Sequence, residues 1–371
     1  MNIKRRQLLS LTVATFLNNY FKKISFANKI KNNSQLYISS AGDLQGNFFM
    51  SGFRNSGKEK FRIPLPDRGH GFALHPKSEE ITIFARRPGN FGLVINTSSG
   101  EIIDKFNTKY GRHFYGHGTY SKDGKWLYSS ENEYDSGQGL IGIYDTKNHF
   151  RLVETFPAYG IGPHQINLLS EGNILVVANG GILTHPDSGR KKLNLATMES
   201  SLIYLELKSG KLIYARKLSD RLKQMSIRHI SISRNDQIAL AMQYQGPRRH
   251  LFPLVGFQKN SEDIILCSAP EKIIYRMKNY CGSVTFDSSG KLIAVSSPRG
   301  GIITFWSTTD KSFLSFIEVQ DGCGVAQGIA PASFLITNGH GLIINHFPLI
   351  QKTELLSIYK NTQWDNHLIM V

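Results

Sequence analysis

From Gln35 to the C-terminus the hydrophobic positions alternate with polar ones over short stretches, and each stretch ends in a Gly, Asp, Ser or Asn cluster. Gly118-Thr-Tyr-Ser-Lys-Asp-Gly-Lys-Trp-Leu-Tyr-Ser-Ser130 is a clear instance: an alternating segment, a turn, then a second segment rich in aromatic residues. Gly282 to Ser296, Ile166 to Ala178 and Ile230 to Ala241 repeat this grammar. Period-two alternation bounded by turn residues predicts β-strands joined as hairpins. A third strand follows each pair, as in Gly142-Ile-Tyr-Asp145, Ile203-Tyr-Leu-Glu206 and Ile303-Thr-Phe-Trp306, and a fourth is visible at Lys211-Leu-Ile-Tyr-Ala215.

The repeat has a measurable period. His70, His117, His164 and His229 mark the starts of successive first strands and are spaced 47, 47 and 65 residues apart; Ser283 and Cys323 continue the series at 54 and 40. The long step contains an insertion, Ile182 to Ser200. Four strands per unit at a period of roughly 45 residues is the arithmetic of a β-propeller blade. Those six markers, the further strands between Gln35 and Leu65, and the segments Leu355–Ile358 and Leu368–Met370 predict a single all-β domain of seven four-stranded blades. Pairing strands from the two termini in one blade closes such a ring and removes its exposed sheet edges.

In that geometry the start of each first strand and the loop after each second strand share one face. His70, His117, His164, Arg228-His229, Ser283 and Cys323 occupy the first set; Arg86-Arg87, Glu131, Asn132, Asn179, Gln243, Arg299 and Asn338 occupy the second. The inserted loop, with His185-Pro-Asp-Ser-Gly-Arg190, leaves from the same face. A funnel lined in this way is a candidate ligand site. Three readings of its histidines stand side by side. His70, His117, His164 and His229 ligate a transition metal such as iron, copper or zinc; or they staple neighbouring blades by hydrogen bonds; or, with the arginines, they hold an anionic small molecule. Glu131 and Glu133 share a strand face and are a general-base pair or a polar loop. Cys281 and Cys323 fall near adjacent first strands and are a disulfide, a soft-metal site or small core residues.

Composition narrows the function classes. The chain is 40% hydrophobic and 11% aromatic, enough to bury a core and to exclude disorder. No Gly-x-Ser-x-Gly elbow, phosphate loop, zinc-protease helix or EF-hand is present. The first 27 residues carry Lys4, Arg5, Arg6, Lys22, Lys23 and no acid; Arg5-Arg6-Gln-Leu-Leu9, an apolar run and Ser25-Phe-Ala27 predict a twin-arginine-type export signal over 1–27, ahead of a propeller domain over 28–371. Without that segment the net charge of +16 falls to +11, scattered through turns rather than clustered, which argues against nucleic acid as a partner. No run of apolar residues is long enough to span a membrane in the mature chain.

Many separate motifs carry a family resemblance. They are Tyr115-Gly-His-Gly-Thr-Tyr-Ser-Lys-Asp-Gly124, Ser130-Glu-Asn-Glu-Tyr-Asp135, Gly162-Pro-His-Gln165, Val177-Ala-Asn-Gly-Gly-Ile182, Thr184-His-Pro-Asp-Ser-Gly189, Ser226-Ile-Arg-His229, Met242-Gln-Tyr-Gln-Gly246, Ser297-Pro-Arg-Gly-Gly301 and Trp364-Asp-Asn-His-Leu368. Over about 36–371 the chain resembles the proteobacterial twin-arginine-exported propellers of a domain-of-unknown-function family. The resemblance implies a seven-bladed propeller like the quinoprotein amine dehydrogenase chain (YVTN-like), a periplasmic location, and partners among imelysin-like iron-uptake proteins or a haem-type oxidoreductase. It implies no catalytic residues. The function expected on these grounds is ligand binding at the His-rich face, accessory to iron or other metal acquisition, without turnover. The alternatives are a metal- or cofactor-dependent hydrolase or oxidoreductase partner chain, and a protein-interaction scaffold.

Overall fold

A computed structural model describes residues 35–189 and 191–371, so the expected export signal lies outside the described residues. The described chain forms seven four-stranded antiparallel sheets arranged in a ring, an all-β seven-bladed propeller. Blade 1 takes Leu36–Gly42, Phe48–Arg54 and Glu59–Leu65 from the start of the domain and Gln363–Met370 from its end. Blades 2 to 7 follow in chain order. Their innermost strands are Gly69–Leu74, Arg112–Tyr120, Pro163–Leu168, Met225–Ile232, Ser283–Phe286 and Gly322–Gln327.

Burial follows position in the blade. The second strand of blade 5, Ile238–Tyr244, is buried along its whole length because both faces meet neighbouring blades. Outermost strands alternate instead: in Ile102–Asn107 and Arg151–Pro157 only Phe106 and Phe156 are buried. Charged residues such as Lys105, Arg151, Lys352 and Glu354 sit on these outer edges and protect them from pairing with another chain. Between blades the contacts are large side chains. Phe84 of blade 2 packs edge-on against Phe114 of blade 3 at 5.3 Å between centroids, and Phe106 meets Tyr144 at 4.9 Å.

The ring closes where the sequence predicts. Ile38 pairs with Ile369 and Ser39 with Leu368, and Ser39 Oγ donates to the His367 carbonyl at 2.8 Å. Trp364 anchors this last strand against Phe53, 5.4 Å between centroids. Leu368–Met370 is thus part of the innermost strand of blade 1, while Leu355–Ile358 belongs to the outer strand of blade 7.

Candidate functional site in the central channel

The innermost strands do not run smoothly past one another. Pairing slips between Gly69 and Phe72 in blade 2, Phe114 and Gly118 in blade 3, Pro163 and Gln165 in blade 4, and Ile227 and His229 in blade 5. In blade 1 it slips opposite Ser39 and Ala41, leaving Asp365 to His367 unpaired. A bulge frees residues from the ladder and re-aims their side chains. At, or directly beside, each of these five slips sits a histidine: His70, His117, His164, His229 and His367.

The five imidazoles converge. His70 lies 4.5 Å from His367 and 4.9 Å from His117, His117 lies 5.1 Å from His164, and His164 lies 4.6 Å from His229 (ring centroids). The close approach depends on two glycines. A Cβ on Gly71 would stand 2.6 Å from His117 Nδ1, and one on Gly116, whose φ is +99°, would stand 2.6 Å from His70 Cδ2. His70, His117, His164 and His229 are buried, and each of the five rings has one shielded nitrogen without a hydrogen-bond partner: Nδ1 of His70, His164 and His229, and Nε2 of His117 and His367. Ligand atoms of His70, His117 and His367 lie within 4.8 Å of one another, and so do those of His117, His164 and His229. His117 belongs to both trios.

Burial holds all five rings below the ordinary imidazole pKa. Mutual repulsion with neighbouring rings adds to the shift at His117, and Arg228 adds to it at His164 and His229. They are therefore neutral at physiological pH, the state in which imidazole coordinates a metal. The only nearby acid among the described cluster residues is Asp365. Burial pushes its carboxyl up, but the charges of the Arg68 and Arg86 guanidinium groups outweigh that and hold it far below the carboxylate range. Arg68 Nε donates to Asp365 Oδ2 at 2.6 Å, whereas His70 Nδ1 stays 3.9 Å from Asp365 Oδ1, beyond hydrogen-bond reach.

Above the cluster is a cavity of about 480 Å³, onto which His70, His164 and His229 open. Arg86 and Arg87, which follow the second strand of blade 2, form one side, and Arg228, Gln243, Tyr280 and Arg299 form the other. The inserted loop folds over it: Thr184, His185, Pro186 and Lys192 complete the wall, and Arg87 Nη1 donates to Thr184 Oγ1 at 3.0 Å.

Of the residues singled out in the sequence, His70, Arg86, Arg87, His164, His185, Arg228, His229, Gln243 and Arg299 line this cavity, and His117 lies in the cluster beneath it. Six others, Glu131, Asn132, Asn179, Ser283, Cys323 and Asn338, are off its wall. Glu131 is fully buried inside blade 3, where Ser129 and Tyr144 donate to its Oε1 at 2.8 and 2.6 Å and Arg112 stands 3.5 Å from Oε2. Asn132 accepts from Tyr115 Oη at 3.2 Å, and Asn179 donates to the Ala158 carbonyl at 2.8 Å. Cys323 donates to the Trp364 carbonyl at 3.2 Å. Cys267, Cys281 and Cys323 are free and buried, so Cys281 and Cys323 form no disulfide. Sequence spacing missed His367, Asp365, Tyr280 and Lys192. The Trp364-Asp-Asn-His-Leu368 motif held the signal for the first two, but a count of first strands in chain order does not reach a strand that returns from the C-terminus.

Fold and site together define a seven-bladed β-propeller whose central channel gathers five imidazoles beneath a basic cavity. Within that class the chain belongs to the family described as protein of unknown function (DUF1513), whose model matches residues 63–371. No functionally curated protein matches it. Among solved structures it is similar to hydrazine synthase of Kuenenia stuttgartiensis, with a TM-score of 0.56 and 11% identity, covering 84% of this chain and 92% of that one. At that identity the likeness is one of fold alone.

Proposed function

We propose that this protein is a periplasmic metal-binding propeller, accessory to the acquisition of iron or another transition metal. His117, His164 and His229 hold the ion, and His70 and His367 complete the cluster. One observation carries the reading: five neutral rings are packed together, each with a shielded nitrogen that has no partner. A buried polar atom left unpaired costs about 1–3 kcal/mol, so five in one place are poor stapling and good ligands. A staple would spend those nitrogens on carbonyls of adjacent blades. Two of the three proposed ligands, His164 and His229, also face the cavity, which leaves a coordination position open on that side. That opening favours, as a second reading, a metal-dependent periplasmic enzyme or the partner chain of a haem-type oxidoreductase. Imelysin-like iron-uptake proteins are the proposed partners of the first.

The test is titration of chelator-stripped protein with zinc, copper(II) and iron(II), followed by calorimetry and by elemental analysis after desalting. The expected result is near-stoichiometric binding that His117→Ala and His164→Ala abolish while the far-ultraviolet spectrum stays that of the wild type. Wild-type protein that retains none of the three metals would overturn the reading.

A further inference from the structure

The cavity above the imidazoles is strongly one-sided in charge. Five cationic side chains reach its wall, Arg86, Arg87, Lys192, Arg228 and Arg299, and among the described residues no carboxylate does. Elsewhere several basic residues are paired, as Arg68 is with Asp365, Arg112 with Glu131 and Glu133, and Arg276 with Glu318. Among the described residues Lys192, Arg228 and Arg299 form no such ion pair. The Arg228 Nε is shielded and donates to nothing.

This arrangement is costly to the unliganded protein. Burial, followed by the charges of Arg228, Arg299 and Arg87, lowers the Lys192 ammonium below its ordinary value. Uncompensated like charges in a partly enclosed site repel, and a counter-anion removes the penalty. The cations are also held in place. Lys192 Nζ donates to Gln245 Oε1 at 2.5 Å, and the Arg299 guanidinium lies over the Tyr280 ring at 4.3 Å. Planar guanidinium groups match carboxylate and phosphate oxygens in pairs. A volume of about 480 Å³ suits a small molecule rather than a polymer chain.

We propose that the cavity binds a small polyanion with two or more carboxylate or phosphate groups, clasped by Lys192, Arg228 and Arg299, with one of its oxygens reaching the ion at His164 and His229. Contact with the ion rests on the proposed metal site; the anion site stands without it. The ligand entering this face is on this view an anionic metal chelate rather than a bare cation.

Calorimetric titration of tricarballylate and of pyrophosphate into the full-length exported protein tests this, in chelator-stripped and in zinc-loaded form. Binding of either to both forms is expected, tighter to the loaded one, and at least ten-fold weaker for Arg299→Gln and for Lys192→Gln. Preference for tricarballylate identifies a polycarboxylate, and preference for pyrophosphate a phosphate. If zinc binds but neither anion does, or if the two variants bind the anion as well as the wild type, the anion site is wrong and the metal site stands. If an anion binds to protein that takes up none of zinc, copper(II) and iron(II), the anion site stands and the metal site falls. Should Arg299→Gln fail to fold, Lys192→Gln on the exposed inserted loop still decides the matter.

Discussion

His70 and His367 pack edge to face with ring centroids 4.5 Å apart, although one lies on the first strand of blade 2 and the other on the last strand of the chain. The pairing of the two chain ends therefore does more than remove an edge. It delivers a fifth imidazole, and the Asp365–Arg68 pair beside it, to the cluster formed by blades 2 to 5.

Because His117 is shared by both trios, its loss should harm metal binding most. His117→Ala is expected to weaken zinc or copper(II) affinity by about 100-fold or more, while His367→Ala, which leaves the trio of His117, His164 and His229 intact, costs about 10-fold. Competition against a chromogenic chelator measures both. Equal losses would mean that the ion sits elsewhere in the cluster.

Acid should destabilise the metal-free protein early. The five rings are held neutral below the ordinary value of 6.5. As pH falls through 6.5 the unfolded chain takes up protons that the native state refuses, so stability is full above that value and declines beneath it. Each ring contributes a slope of up to about 1.4 kcal/mol per pH unit. Asp365 partly offsets this at His70, and Arg68, Arg86 and Arg228 reinforce it across the cluster. Urea unfolding at pH 7.5, 6.5 and 5.5 should show the decline, and His117→Ala with His164→Ala should flatten it. A stability independent of pH across that range contradicts neutral burial.

Glu131 is buried inside blade 3, off the cavity wall, where its carboxylate ties Ser129, Tyr144 and Arg112 together. Truncation to Ala strands the hydroxyls of Ser129 and Tyr144 and removes a carboxylate from beside Arg112. A loss of about 3 kcal/mol in unfolding free energy is expected, as for other broken buried pairs, with metal and anion affinities unchanged. Altered affinity in a folded Glu131→Ala protein would place the residue in the site after all.

Gly71→Ala tests the tight packing of the rings. Its Cβ would come within 2.5 Å of the Gly116 carbonyl oxygen and 2.6 Å of His117 Nδ1, and neither the backbone nor a ring hemmed in by four others can move aside freely. Overpacking of this kind costs about 1–3 kcal/mol. Metal affinity should fall with it, which the thermal midpoint and the chelator assay would report together.

The architecture was legible from local pattern. Period-two alternation, turn residues and a recurring unit of four strands are properties of neighbouring residues, and burial on both faces of the second strands leaves one way to stack such units. The histidines at 70, 117, 164 and 229 stood out because each opens a repeat, and the fold brings all four together.

Local sequence thus specifies the blade, the number of blades and the inner strands on which these histidines lie, since each depends on residues close together in the chain. The contents of the channel come from long-range packing. Ring closure brought in His367 and Asp365, bulges turned five imidazoles inward, and the inserted loop carried Lys192 over Arg228 and Arg299. Glu131, Asn132 and Asn179 lie on second strands, away from the channel, and are buried there, while Cys323 on an innermost strand donates to the Trp364 carbonyl of the next blade. Channel radius, register slips and the meeting of chain ends are set by the packing of seven sheets against one another, and no local stretch of sequence encodes them.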